Sequence, residues 1–230
     1  ALEIFTSFPF TQYFSPRKIL LVGNPIRKRL LSGSRQEAVE MFQIAGGKPL
    51  LLIMGGSQGA QRLNDMLLAG LNEVLGEFEV IHQTGEANFT SVDQEAKAIL
   101  SEANLPYYHP VPFLDENQLR HAYAAVDFIV NRAGSGSIFE IAALGKPSVL
   151  IPFPESAQNH QVENAYAYAG TGAAIVLEEA NMRPHFFLER IREIIFDPSE
   201  MAKMSQAALR FAKPDAARII ADYLLAYLVR

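Results

Sequence analysis

The alternation of short apolar runs with helical segments constrains this chain more than any other feature. Residues 49–54 form a continuous apolar run, closed by Gly55-Gly56-Ser57-Gln58-Gly59. Residues 60–75 follow with helical spacing, carrying Leu63, Leu67, Leu71 and Val74. The pattern recurs along the chain. Strands are expected at 18–22, 79–82, 107–113, 126–130, 148–153 and 173–177. Helices are expected at 34–43, 91–101, 117–125, 137–144, 158–168, 184–196, 199–211 and 215–228. Short apolar strands separated by helices imply an α/β fold, a Rossmann-like parallel sheet covered by helices on both faces. Ligands of such sheets bind beyond the carboxyl ends of the strands. The polar and glycine-rich segments that follow strands are therefore expected along one sheet edge, however far apart they lie in sequence.

Bulk properties narrow the function classes. The chain has 230 residues and a net charge of −5, which argues against a basic nucleic-acid binder. Cysteine is absent, so disulfides and thiolate metal sites are excluded. The histidines show no zinc-site spacing, and no Asp-x-Asp pair or Gly-x-Ser-x-Gly elbow occurs. Residues 1–17 crowd Phe5, Phe8, Phe10, Tyr13 and Phe14 around two prolines with no clear period. That much apolar surface reads as a tail belonging to another domain.

Four segments carry chemistry. Asn131-Arg132-Ala133-Gly134-Ser135-Gly136-Ser137 joins an expected strand to an expected helix. Either it is ordinary turn chemistry, or the unpaired first N–H groups of the helix cradle an anion such as a diphosphate. Glu140, one turn on, is placed to accept hydrogen bonds from sugar hydroxyls. In Gly55-Gly56-Ser57-Gln58-Gly59-Ala60, Ser57 either caps the helix or meets a phosphate or sugar oxygen. The spacing fits neither a P-loop nor G-x-G-x-x-G. Arg27 follows the rigid Gly23-Asn24-Pro25 turn as a surface charge or as a reach toward a phosphate. The run from Phe153 to Ala165 crowds His160, Gln161 and Asn164 at a helix start. Its amides suit sugar hydroxyls, and a solvated helix start is the plainer reading.

In order and spacing, these four segments resemble the MurG family of glycosyltransferases. The matching residues are Gly23-Asn24-Pro25-Ile26-Arg27, Gly55-Gly56-Ser57-Gln58-Gly59-Ala60, Arg132-Ala133-Gly134 with Glu140, and His160-Gln161-Val162-Glu163-Asn164-Ala165. The resemblance spans about Phe5 to the C-terminus. It implies a GT-B architecture of two Rossmann-like domains, of which this chain is the C-terminal, donor-binding half. Residues 1–17 are then a remnant of the N-terminal domain and linker, and 18–230 the UDP-sugar-binding domain. The Gly-Gly-x-Gly-His segment of the family's N-terminal half has no counterpart here.

Carried over by position, the backbone of Leu114 meets the uracil and Glu140 holds the ribose hydroxyls. Ser135, Gly136 and Ser137 face the diphosphate, with Ser57 and Arg27 nearby. Gln161, helped by His160 and Asn164, reads the N-acetylglucosamine. Two positions depart from the family pattern. Ser135-Gly136-Ser137 stands where many relatives have Ala-x-Thr, and Asn131 stands where Ser or Cys is commoner.

The activity implied is inverting transfer of N-acetylglucosamine from UDP-N-acetylglucosamine to lipid I, making lipid II in peptidoglycan synthesis. No cofactor and no metal are implied. The catalytic base and the lipid-acceptor surface are expected in the N-terminal half. The location implied is cytoplasmic, peripheral on the inner face of the cell membrane. The alternatives are a donor-binding subunit of a split transferase and a GT-B glycolipid synthase with a different donor. In the last expected helix, Ile220, Leu224 and Leu228 form a stripe beside Tyr223 and Tyr227, with few cations. That stripe suits packing better than a membrane surface.

Overall fold

A computed structural model describes residues 3–9, 15–56, 61–156 and 159–228. Its centre is a parallel sheet built from the expected apolar runs. The strands are β3 (Leu50–Met54), β4 (Glu79–Gln83), β5 (Tyr108–Val111), β6 (Phe128–Asn131), β7 (Ser148–Leu150) and β8 (Ala174–Val176), in the spatial order β5-β4-β3-β6-β7-β8. All five residues of β3 are buried, as a central strand covered on both faces requires. Its side chains alternate between two cores. Leu51 and Ile53 join Val80, Phe128 and Val130 on one face, whereas Leu50, Leu52 and Met54 join Ile81 and Ile129 on the other.

Helices cover both faces. On the first lie α2 (Gln61–Ala69), α3 (Leu71–Glu77), α4 (Phe89–Ile99) and α8 (Pro184–Ile195). On the second lie α1 (Arg35–Phe42) and α5 (Glu116–Ala125). A third cluster joins α6 (Ser135–Ala143), α7 (His160–Ala169) and α9 (Pro198–Phe211) through Ile138, Ala142, Ala165, Tyr168, Ala207 and Ala208. Among the described residues no helix is long and apolar enough to cross a membrane.

Two elements differ from expectation for physical reasons. The helix expected over 60–75 is two helices, α2 and α3, separated at Gly70. A Cβ there would lie 2.6 Å from the Cβ of Pro184, so the start of α8 packs into the break. The extended segment expected over 107–113 is regular only over β5. β5 is an edge strand, where Pro110, lacking an N–H, is tolerated.

A separate parallel pair, β1 (Ile4–Thr6) and β2 (Ile19–Leu21), forms a second, two-stranded sheet. The Phe8 ring meets Phe139 at 5.4 Å and Phe211 at 5.9 Å, and Phe5 meets Tyr223 of α10 (Ala216–Leu228) at 5.6 Å. The described aromatic residues of 1–17 thus cover part of α6 and α10, while Leu224, Leu225 and Leu228 remain exposed. Two residues beyond β2 is Gly23, where φ is +84° and a Cβ would lie 2.4 Å from that of Lys213. Only glycine meets both demands, and the turn it makes aims Arg27 at α6.

Candidate functional site

The chain order of the strands places the site. From β3 the chain moves outward to β4 and β5, then returns to the other side of β3 to lay down β6, β7 and β8. The outward and returning paths diverge between β3 and β6, and that switch point is where open α/β sheets bind ligands. Met54 pairs with both Gln83 and Asn131, Gln83 with Val111, and Asn131 with Leu150. These residues form the last row of the sheet. Gly55-Gly56, Arg132-Ala133-Gly134 and the loops that follow β5 and β7 leave from that row.

The β6–α6 turn gives the site its chemistry. Gly134 is the N-cap of α6, with extended backbone and no side chain to occupy the helix end. Ser or Asp in that place would turn its own oxygen onto the first N–H groups. A Cβ at Gly134 would meet nothing within 4 Å, so packing among the described residues does not demand glycine here. Its effect is to leave the N–H groups of Ser135, Gly136 and Ser137 uncovered. These three residues are partly accessible, between a buried strand and a buried helix body. The Ser135 hydroxyl and the Asn131 amide nitrogen are buried without a partner among the described residues. Asn24 lies across this turn, its amide nitrogen 3.7 Å from where a Gly136 Cβ would be.

One helical turn on, Glu140 is buried and Arg27 grips it with a two-pronged contact. Nε donates to Oε1 at 2.9 Å and an Nη to Oε2 at 3.1 Å. The Arg27 side chain is 49% exposed and that of Glu140 only 8%, so the guanidinium lies between the carboxylate and solvent. The hydrogen bond to Glu140 raises the Arg27 pKa above its ordinary value, against the opposing effect of burial. Beneath them burial, reinforced by the Glu140 charge, pushes the Tyr123 phenol far above its ordinary range.

The remaining expected residues divide between the two sides of the cleft. Leu114 is buried in the loop after β5, and its N–H donates to Oε1 of Gln83 at 3.3 Å. Gln161 and Asn164 both lie on α7. Gln161 accepts the N–H of Phe153 at 3.0 Å, and Asn164 donates to the carbonyl of Ala133 at 3.2 Å. Asn164 therefore ties α7 to the glycine turn of α6. His160 is exposed at the first position of α7, after Asn159, whose φ of +56° suits asparagine. Ser57 lies outside the described residues. Among the described residues no cluster of three or more His, Asp or Glu is placed to hold a metal ion.

Residues 50–220 match the glycosyltransferase family 28 C-terminal domain. The chain belongs to this family. It is 34% identical over 226 residues to the UDP-N-acetylglucosamine--N-acetylmuramyl-(pentapeptide) pyrophosphoryl-undecaprenol N-acetylglucosamine transferase of Thermodesulfovibrio yellowstonii, covering 96% of this chain and 60% of that protein. It is 36% identical over 200 residues to the like-named protein of Halothermothrix orenii, covering 86% and 53%. The structure superposes on the crystal structure of Acinetobacter baumannii MurG with a TM-score of 0.75 at 27% identity, over 96% of this chain and 59% of that one. The chain thus spans little more than half the length of these relatives. It shares its fold with the UDP-GlcNAc 2-epimerase of Neisseria meningitidis, solved bound to UDP-GlcNAc, with a TM-score of 0.62 at 14% identity.

In this family 28 domain, the geometry adds residues that sequence reasoning missed. Gln83 bridges two loops, accepting from Leu114 and donating to the Gly56 carbonyl at 3.3 Å. Its signal in the sequence is an amide immediately after the strand expected at 79–82, at the level where the sheet meets its ligand edge. Arg132 is buried and pairs with Glu179, donates to the Ile151 carbonyl at 3.2 Å and lies 5.5 Å from the Phe153 ring centre. Arg62 reaches Glu179 at 2.8 Å and Glu155 at 3.3 Å. This network holds the β7–α7 loop, and with it Gln161, against the sheet. No sequence signal pointed to Glu179, which lies on a short 3-10 turn beyond β8.

Proposed function

We propose that the chain is the donor-binding part of an inverting transferase that moves N-acetylglucosamine from UDP-N-acetylglucosamine to lipid I. The observation that carries this reading is the pairing, at the sheet's switch point, of an uncovered helix N-terminus at Ser135–Ser137 with a buried carboxylate one turn on at Glu140. The diphosphate lies on the first, where amide dipoles favour negative charge. The ribose hydroxyls bond Glu140, and the Leu114 backbone meets the uracil. Arg27 and Ser57 reach the phosphates. Gln161, with His160 and Asn164, reads the sugar. The names of the relatives support the donor and the acceptor.

In the reaction, the acceptor hydroxyl oxygen attacks the anomeric carbon as the bond from that carbon to the diphosphate oxygen breaks, inverting the centre. The hydroxyl proton passes to a base of the N-terminal half, and the electron pair leaves with UDP. Fixed N–H groups at the start of α6 stabilise the growing diphosphate charge without reorganising. Neither the donor site nor the transfer step then calls for a metal or other cofactor. The whole enzyme works at the inner face of the cell membrane, where its lipid acceptor resides.

Calorimetric titration of the 230-residue chain with UDP-N-acetylglucosamine, UDP-glucose and UDP tests the reading. Saturable binding with preference for UDP-N-acetylglucosamine over UDP-glucose supports it, and turnover of a lipid I analogue is expected only when the N-terminal half is supplied. Preference for another donor sugar sinks the assignment.

A further inference from the structure

The carboxylate that the donor-site reading gives to the ribose is already occupied. Both oxygens of Glu140 are held by Arg27, at 2.9 Å and 3.1 Å. The carboxylate is otherwise enclosed by protein, and the guanidinium forms its solvent side. A ribose entering from the cleft meets Arg27 first. Asn24 lies beside the first turn of α6, its amide nitrogen 3.7 Å from where a Gly136 Cβ would be, so the segment 24–27 runs alongside the helix from Gly136 to Glu140. One helical turn is about 5.4 Å, a distance an arginine side chain covers by rotation alone. A planar guanidinium also binds phosphate with the same two-pronged geometry it uses for carboxylate.

We propose that Arg27 is a latch exchanged by the nucleotide: it holds Glu140 in the free chain, and a diphosphate on α6 draws it away and releases the carboxylate to the ribose. The inference rests on the donor-site reading above and adds a selection rule to it. A ligand with a diphosphate supplies the replacement partner for Arg27. A nucleoside without phosphates must break the Arg27–Glu140 pair and offers the guanidinium nothing in return. The latch therefore penalises uridine and spares UDP and its sugars.

The test is a sign reversal. UDP and uridine are titrated against the wild-type chain, Arg27→Ala and Arg27→Lys, by calorimetry for UDP and by ligand-observed NMR into the millimolar range for uridine. Folding of each variant is checked by its thermal transition. In Arg27→Ala, UDP is expected to bind about tenfold more weakly or worse, for loss of a charge-assisted phosphate contact. Uridine is expected to bind about threefold more tightly, because the Arg27 guanidinium no longer competes for Glu140. Arg27→Lys keeps the charge and loses the fork, so it should show the same two signs at smaller size; it carries the comparison if Arg27→Ala does not fold. Uridine that binds no more tightly in the variants, or goes undetected throughout, overturns the latch. A wild-type chain that binds neither UDP nor UDP-N-acetylglucosamine overturns the donor-site reading itself.

Discussion

His82 makes the stability of this domain depend on acid in a way that one substitution can isolate. The ring is fully buried in β4, and burial pushes its pKa from 6.5 down to about 3. Its contacts fix the tautomer. Asn64 donates its amide to the Thr84 carbonyl at 3.0 Å, which leaves the Asn64 oxygen to accept from His82 Nε2–H at 3.1 Å. Nδ1 then accepts from the Tyr108 hydroxyl at 2.7 Å. The neutral ring is satisfied at both nitrogens, and burial also raises the Tyr108 pKa, keeping that phenol protonated. Because the folded-state pKa of His82 lies below the unfolded value, the unfolded chain binds the proton more readily. Stability is therefore complete above pH 6.5 and is lost as pH falls from there toward 3. Between pH 7.5 and pH 5 the loss from this one group is about 2 kcal/mol. In His82→Gln the amide can serve both neighbours, donating to Asn64 and accepting from Tyr108, but does not titrate. Urea unfolding at pH 7.5, 6 and 5 should show the wild type losing about 2 kcal/mol more than the variant over that range. The other histidines are present in both proteins and cancel. Parallel pH profiles for the two would refute the argument.

Two further outcomes follow from single sites, and a third from how the diphosphate is held. In Gly33→Ala the new Cβ would fall 1.8 Å from the Arg120 carbonyl oxygen. The backbone must move, and a loss of about 2 kcal/mol or more is expected by urea unfolding. Gln83→Leu keeps most of the volume but strands the Leu114 N–H and the Gly56 carbonyl, at about 1–3 kcal/mol. Since it unties the loop proposed to meet the uracil, UDP affinity should fall with it in calorimetry, and an unchanged affinity would separate Gln83 from the site. Finally, UDP-N-acetylglucosamine affinity should be the same in EDTA and in millimolar magnesium. A gain with magnesium would mean that the diphosphate is held by something besides amides and Arg27.

How much was legible in the sequence depends on the reach of each cause. β3 was visible because a strand covered on both faces must be apolar at every position, and all of its residues are buried. The start of α6 was visible because its glycines and serines are neighbours in sequence. The break at Gly70 was not, since the residues around it favour helix and the cause is Pro184, far along the chain. Arg27 and Glu140 each stood out alone, but their union spans 113 residues, and local pattern carries no trace of such a pairing. Glu179 was invisible for the same reason, meeting Arg62 across 117 residues.

The two arginine–carboxylate pairs at this edge of the sheet show how burial assigns different work to the same chemistry. Arg132 and Glu179 are both enclosed, with side chains 10% and 4% exposed; Arg132 also donates to the Ile151 carbonyl, and Glu179 also accepts from Arg62. Removing Glu179 would leave the Arg132 charge uncompensated away from water, a cost of about 3–5 kcal/mol. Such a pair does not open on binding; it fixes the loops after β6, β7 and β8 relative to one another. Arg27 and Glu140 differ in that one partner is half in solvent. Water can stabilise a departing guanidinium, and in the proposed exchange ribose hydroxyls take its place on the buried carboxylate, so the exchange costs only about as much as a surface ion pair, 1 kcal/mol or less. A phosphate contact, at about 1.5–3 kcal/mol, exceeds that cost. The rigid pair stands behind the residues assigned to the sugar, which require fixed geometry to tell one hydroxyl pattern from another. The pair proposed to exchange stands at the end assigned to the nucleotide, where an arginine free to turn would follow the diphosphate.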